Sequence, residues 1–181
     1  GALAAIARLY QAGWHVVVAT NQSGLGRGLF DAYTLNEMHA KMNALLMPLG
    51  GRVDAVFFCP HAPEDDCRCR KPRPGLFEDI GLRFGIDMTG VPAVGDTLRD
   101  LQAASTVGCT PHLVRTGKAA SLDEAGVQAM REKVPGLTVQ RIDPTIEVAR
   151  HRDEVLARAG TGLDPSARAM LEEDLRSPCT E

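Results

Sequence analysis

The apolar positions of this chain switch repeatedly between helical and extended spacing. In ALAAIARLYQA, Leu3, Ile6, Leu9 and Tyr10 share one face, which predicts a helix over 2–12 stopped by Gly13. WHVVVA (14–19) follows, a β-branched run almost without a polar break, the pattern of a strand covered on both faces in a parallel sheet. Thr20-Asn21-Gln22-Ser23 ends it, before a loop made flexible by Gly24, Gly26 and Gly28. Leu35, Met38, Met42, Leu45 and Leu46 predict a second helix over 31–49, with Asp31 or Thr34 as N-cap. VDAVFF (53–58) reads as the next strand, 74–84 as a helix opened by Pro74, and 91–94 as a strand ended by Gly95-Asp96. A helix over 97–107 ends at Gly108, and a strand over 111–114 ends at Arg115-Thr116-Gly117.

Alternation of this kind predicts an α/β fold, a Rossmann-like and mainly parallel sheet, with a loop inserted between the strand at 53–58 and the helix at 74. Farther on, 121–132 has a helical pattern, LTVQRI (137–142) alternates like an edge strand, and helical patterns return over 145–159 and from Asp164 to about 176. Residues 1–159 read as one domain and 160–181 as a polar tail. The chain opens at Gly1, not Met, and runs straight into a helical pattern, so it reads as cut from something longer.

The chain has 181 residues, a net charge of −3 and 44% hydrophobic residues, which fits a single domain with an ordinary core. No basic surplus points to nucleic acid and no apolar run approaches a membrane span. A mean hydropathy of −0.11 fits a soluble protein. Five cysteines with no visible signal peptide suggest a reducing compartment.

Three of those cysteines change the picture. CPHAPEDDCRCRKP (59–72) places Cys59, His61, Cys67 and Cys69 in the spacing C-x-H-x5-C-x-C. Three thiolates and an imidazole are the ligand set of a tetrahedral, closed, structural zinc site. Disulfides or unligated thiols are the alternatives, although Cys67 and Cys69 are too close in sequence for an easy mutual bridge. Arg70 and Lys71 follow at once, so whatever closes the loop also fixes two cations. Cys109 reads as a buried thiol and Cys179 as one in the tail.

In parallel sheets chemistry collects at the carboxyl ends of strands. Three such ends carry Thr20-Asn21-Gln22-Ser23, Arg70-Lys71 beyond the cysteine loop, and Gly95-Asp96-Thr97-Leu98-Arg99-Asp100. A hydroxyl donor, a lysine and a carboxylate suited to Mg²⁺ outline a phosphoryl-transfer site. Each residue alone has a plainer reading, Thr20 and Asp96 as turn or cap formers and Asp100 as a surface charge.

The order ATNQSG, CPH…CxCRKP, VGDTLRD resembles the haloacid dehalogenase superfamily of phosphohydrolases, in its histidinol-phosphatase-like branch. The likeness covers about 1–118 and continues more weakly through 137–159. It implies an Mg²⁺-dependent cytoplasmic phosphatase of carbohydrate metabolism, acting on a small sugar bisphosphate, with no nucleic-acid or membrane partner and expected to be a monomer. Thr20 and Lys71 would stabilise the transferring phosphoryl group. Asn21, Gln22, Ser23, Arg70 and Thr97 would bind substrate. Asp96 would hold Mg²⁺, Asp100 would orient Lys71, and Cys59, His61, Cys67 and Cys69 would hold Zn²⁺. The family's first motif, DxDGV, supplies the attacking aspartate and a general acid/base, and it occurs nowhere in the 181 residues. Asp143 is a poor substitute, being followed by Pro144 and lacking a second carboxylate. These residues by themselves are therefore expected to be inactive, and loss of a central strand is expected to weaken the sheet.

Overall fold

Period alone placed most elements within a few residues of where they lie in the computed structural model, which describes residues 1–140. In order they are α1 (Ala2–Gln11), β1 (Val17–Asn21), α2 (Ser23–Gly26), α3 (Ala32–Leu46), β2 (Ala55–Cys59), α4 (Gly75–Phe84), β3 (Pro92–Gly95), α5 (Leu98–Thr106), β4 (Thr110–Val114), α6 (Glu124–Lys133) and β5 (Thr138–Gln140). The patterns expected at 145–159 and 164–176, and the tail, lie outside the described residues.

The first strand starts later than its apolar run predicts. Val16 N–H donates to the Asp54 carboxylate at 2.8 Å, so the ladder opens only at Val17 opposite Ala55. From there the parallel register sets Thr20 opposite Phe58 and Asn21 opposite Cys59. The first polar residues after the apolar run thus sit beside the first cysteine of the cluster. The glycine segment is also not an open loop. It forms the single turn α2, and Gly26 N–H donates to the carbonyl of Pro60 at 2.9 Å. A Cβ at Gly26 would lie 2.7 Å from that oxygen, so the close approach requires glycine. Asp31 caps α3 by accepting from Thr34 N–H at 2.8 Å, and the helix gives way at Met47 to a 3-10 turn instead of running on to Leu49.

All strand pairs are parallel, as expected, but hydrogen bonding divides them into β1-β2 and β3-β4-β5. One apolar cluster nevertheless backs both pieces. Ile80 of α4 and Ala104 of α5, with Met88 and Cys109, pack against Val17, Ala19 and Phe57 on one side and Val91 and Ala93 on the other. Burial pushes the Cys109 thiol up to about 12, as suits an inert core group. A second cluster of Leu101, Leu113, Ala119, Val127, Val134 and Leu137 joins α5 and α6 to β4. Full burial of a Leu or Val side chain contributes about 1.5–3 kcal/mol, so this half is firmly anchored. The facing edges of β1 and β3 have no strand partner on that side among the described residues. Val94, in the middle of β3, is 46% exposed there, unusual for a valine in a parallel sheet.

Candidate active site and metal centre

The loop after β2 folds the four cysteine-cluster residues onto a common point. Their ligand atoms all lie within 4.8 Å of one another. Cys59 Sγ is 3.5 Å from Cys67 Sγ, Cys67 Sγ is 3.5 Å from Cys69 Sγ, and His61 Nδ1 is 3.3 Å from Cys69 Sγ. A disulfide needs about 2.05 Å, so these sulfurs are unbonded. Ligands about 2.3 Å from a tetrahedral zinc ion are about 3.8 Å apart, close to the observed edges. The donor set and its spacing fit a closed metal site. Burial raises the Cys59 thiol, and burial with the neighbouring thiols raises that of Cys69 to about 12. At Cys67 burial also acts upward, but hydrogen bonds from the Cys69 and Cys59 thiols and nearby backbone N–H groups outweigh it and bring the group to about 7. One thiol therefore ionises readily, and a cation would draw the proton from the others.

The loop is sewn down from both sides. Arg73 donates to the carbonyl of Cys67 at 3.0 Å and pairs with Asp66, while Arg68 reaches Glu78 at 3.1 Å and also Asp79 on α4. Gly75 N–H donates to Arg68 O at 3.2 Å, and Gln22 N–H to Cys59 O at 2.8 Å.

The loop delivers Lys71 to the end of β1. Lys71 is only 9% exposed, and its ammonium donates to Ala19 O at 2.6 Å and pairs with Asp100 Oδ1 at 2.6 Å. The second oxygen of Asp100 accepts from the hydroxyl of Thr97 and, at 3.2 Å, from its N–H, a reciprocal cap at the start of α5. The other end of Lys71 is held by Asn21. The Asn21 amide donates to Lys71 O at 3.1 Å and accepts from Lys71 N–H at 3.1 Å.

These residues face one cleft of about 340 Å³, lined by Thr20, Asn21, Lys71, Asp96, Thr97 and Asp100. Val18 and Ala19 of β1 and Val94 and Gly95 of β3 line it too, so it runs down between the two sheet edges. Gln22, Ser23 and Arg70 are not part of that lining. Gln22 donates to the Thr20 hydroxyl at 3.3 Å, Ser23 begins α2, and Arg70 donates to His61 O at 3.2 Å. Sequence reasoning did not single out Arg99 as part of the site and missed Lys118, both of which line the cleft. Lys118 N–H donates to Asp96 Oδ2 at 2.8 Å. The signal was the turn Thr116-Gly117 at a strand end, which was read only as a stop.

Asn21 has both polar atoms of its amide engaged by Lys71. Asn21→Ala is therefore expected to lower stability by about 2 kcal/mol, for two hydrogen bonds at about 0.5–1.5 kcal/mol each. Guanidinium chloride titration measures it.

Similarity to known proteins places this geometry in a family. Residues 68–137 match the HAD-hydrolase-like model and residues 2–97 the polynucleotide kinase 3 phosphatase model. A Bordetella bronchiseptica D-glycero-beta-D-manno-heptose-1,7-bisphosphate 7-phosphatase is 63% identical over 117 residues, 65% of this chain and 65% of that protein. The enzyme of the same name from Pseudomonas aeruginosa is 48% identical over 131 residues, 72% of this chain and 70% of that one. The crystal structure of D,D-heptose 1,7-bisphosphate phosphatase from B. bronchiseptica, complexed with magnesium and phosphate, superposes with a TM-score of 0.71 at 50% identity, over 88% of this chain and 83% of that one. The matched region thus spans just under two thirds of the Bordetella relative's length. With identity this high over so much of these proteins, and parallel strands carrying the cleft at their carboxyl ends, the chain belongs to the haloacid dehalogenase-like hydrolases.

Proposed function

We propose that these residues form most of an Mg²⁺-dependent phosphatase that removes the 7-phosphate of D-glycero-D-manno-heptose 1,7-bisphosphate. The observation that carries this reading is the meeting of Thr20, Lys71 and Asp96 in one cleft, with the Lys71 ammonium fixed by Asp100 at 2.6 Å. The Thr20 hydroxyl and the Lys71 ammonium lie where they could hold the oxygens of a transferring phosphoryl group. Asp96 offers a hard carboxylate oxygen beside them, which fits Mg²⁺, and the ion when bound would neutralise phosphate charge. Asn21 and Asp100 keep Lys71 in place. Gln22 supports Thr20, Asn21 and Thr97 line the cleft that would take the sugar bisphosphate, and Ser23 and Arg70, which lie outside that lining, would contact the part of it that extends beyond the cleft. The cysteine-cluster ion is Zn²⁺, and its work is structural.

The attacking aspartate and the general acid/base belong to a DxDGV segment that the 181 residues do not contain. In our reading 1–159 is one phosphatase domain lacking that segment and 160–181 a tail. The segment's strand would run between β1 and β3, where neither edge has a strand partner among the described residues and the cleft continues. The protein would act in the cytoplasm as a monomer. Among the described residues no helix is long and apolar enough to cross a membrane.

A substrate panel tests the reading, using the chain joined to a strand that ends in Asp-x-Asp. The heptose bisphosphate should be hydrolysed in preference to histidinol phosphate and to a 3′-phosphorylated oligonucleotide, the substrate suggested by the name of the second matching model. Preference for histidinol phosphate would move the assignment to that neighbouring activity. Failure on all three, with the joined chain folded and metal-loaded, would favour a zinc-stabilised binding module without catalysis.

A further inference from the structure

The turn after β4 does more than end a strand. It folds back over the carboxyl end of β3, where Gly117 adopts φ +55°. A Cβ built on Gly117 would lie 2.2 Å from Asp96 Oδ2 and 3.2 Å from Asp96 Cγ. The next residue, Lys118, donates its backbone N–H to that same oxygen at 2.8 Å. The carboxylate is thus fitted against the backbone of the turn, with one oxygen held by an amide and the other without a hydrogen-bond partner among the described residues.

We infer that Gly117 is a positioning residue for the metal-binding carboxylate of Asp96. This rests on the reading of Asp96 as the Mg²⁺ ligand given above. Real Cβ atoms essentially never approach within 3 Å of a heavy atom outside their own and adjoining residues, so any side chain at 117 must turn the carboxylate or lift the loop. Either movement disturbs the bond from Lys118 and re-aims the other oxygen. Partners that orient a metal ligand commonly matter 10–100-fold in affinity.

A left-handed glycine also resists substitution simply because of its backbone angle, and the molecule contains its own control. Gly85, at the end of α4, has φ +63° with nothing within 4 Å of the site of a Cβ. Gly85→Ala carries the same backbone strain and touches no carboxylate. Asparagine tolerates the left-handed region better than alanine but still brings a Cβ, so Gly117→Asn separates collision from strain.

The test is a Mg²⁺ titration of the full 181-residue chain, followed on the Lys118 amide ¹H–¹⁵N resonance. The half-saturation concentration should rise at least about tenfold in both Gly117→Ala and Gly117→Asn. It should stay within about twofold of the unaltered chain in Gly85→Ala, whose Tm falls comparably. Equal affinity in the Gly117 variants and the unaltered chain would overturn the inference while leaving Asp96 as the ligand. An equal weakening in Gly85→Ala would overturn it in favour of general strain. Absence of any Mg²⁺ response in the unaltered, folded chain would overturn the metal reading of Asp96 and this inference with it.

Discussion

Replacing Cys59 with serine is expected to abolish metal binding by the loop and to unfasten the segment that carries Lys71. Cys59 is fully buried at the end of β2, and its sulfur is 3.5 Å from Cys67. A hydroxyl in its place is a harder and far less acidic donor, and three ligands do not close a structural zinc site. Zinc content by mass spectrometry should fall from about one per chain to a trace. A metal held there would tie together residues from Cys59 to Cys69, a stretch whose side-chain ion pairs, through Arg73 and Arg68, are partly solvated. Loss of such a cross-link should lower stability by about 3 kcal/mol, or roughly 6–12 °C in Tm for a domain of this size. Proteolysis should shift to the loop 60–72, whereas the half built on Leu101 and Leu113 stays protected. A variant that keeps zinc and its Tm would show that Cys59 does not hold the metal.

Joining a β-strand that ends in Asp-x-Asp ahead of Gly1 should raise phosphate release from the heptose bisphosphate by at least about a thousandfold over the 181-residue chain. Nucleophilic attack and general acid/base catalysis are each worth orders of magnitude, and Thr20, Lys71 and Asp96 supply neither. The same addition should raise Tm, since the edges of β1 and β3 that lack a strand partner among the described residues gain ladder hydrogen bonds and Val94 loses its exposure. Changing only the first aspartate of the added strand to asparagine should keep the gain in Tm and lose the gain in rate. Separation of the two effects is the decisive feature. A rise in rate that survives that change would mean the nucleophile lies elsewhere.

Much of this was readable before any coordinates. Helix and strand positions follow from local period, and apart from the single turn α2 those described appear in the predicted order. The spacing from Cys59 to Cys69 pointed to a candidate metal set, and its four ligand atoms do converge. Where reading failed, the competing interaction was non-local. The first strand slid to Val17 because the side chain of Asp54, 38 residues away, takes the Val16 N–H. The glycine loop became a helical turn because Gly26 docks on Pro60. Period could not show either that Asn21, which does line the cleft, has its amide engaged by the Lys71 backbone 50 residues away.

The order of residues alone determined the class of fold, the alternation of its elements, the candidate ligands of the cysteine loop and the set of polar strand ends. Those properties depend on spacing along a few turns or strands, where side-chain chemistry and period suffice. Tertiary structure decided which polar groups meet. The division of the sheet into two parallel pieces, the clamp of Asn21 on Lys71 and the seat of Asp96 against Gly117 all arise where distant segments approach within hydrogen-bond reach. Contacts of that kind are set by the packing of α4 and α5 beneath both sheet pieces, and no local pattern encodes a distance of 3 Å between residues so far apart in the chain.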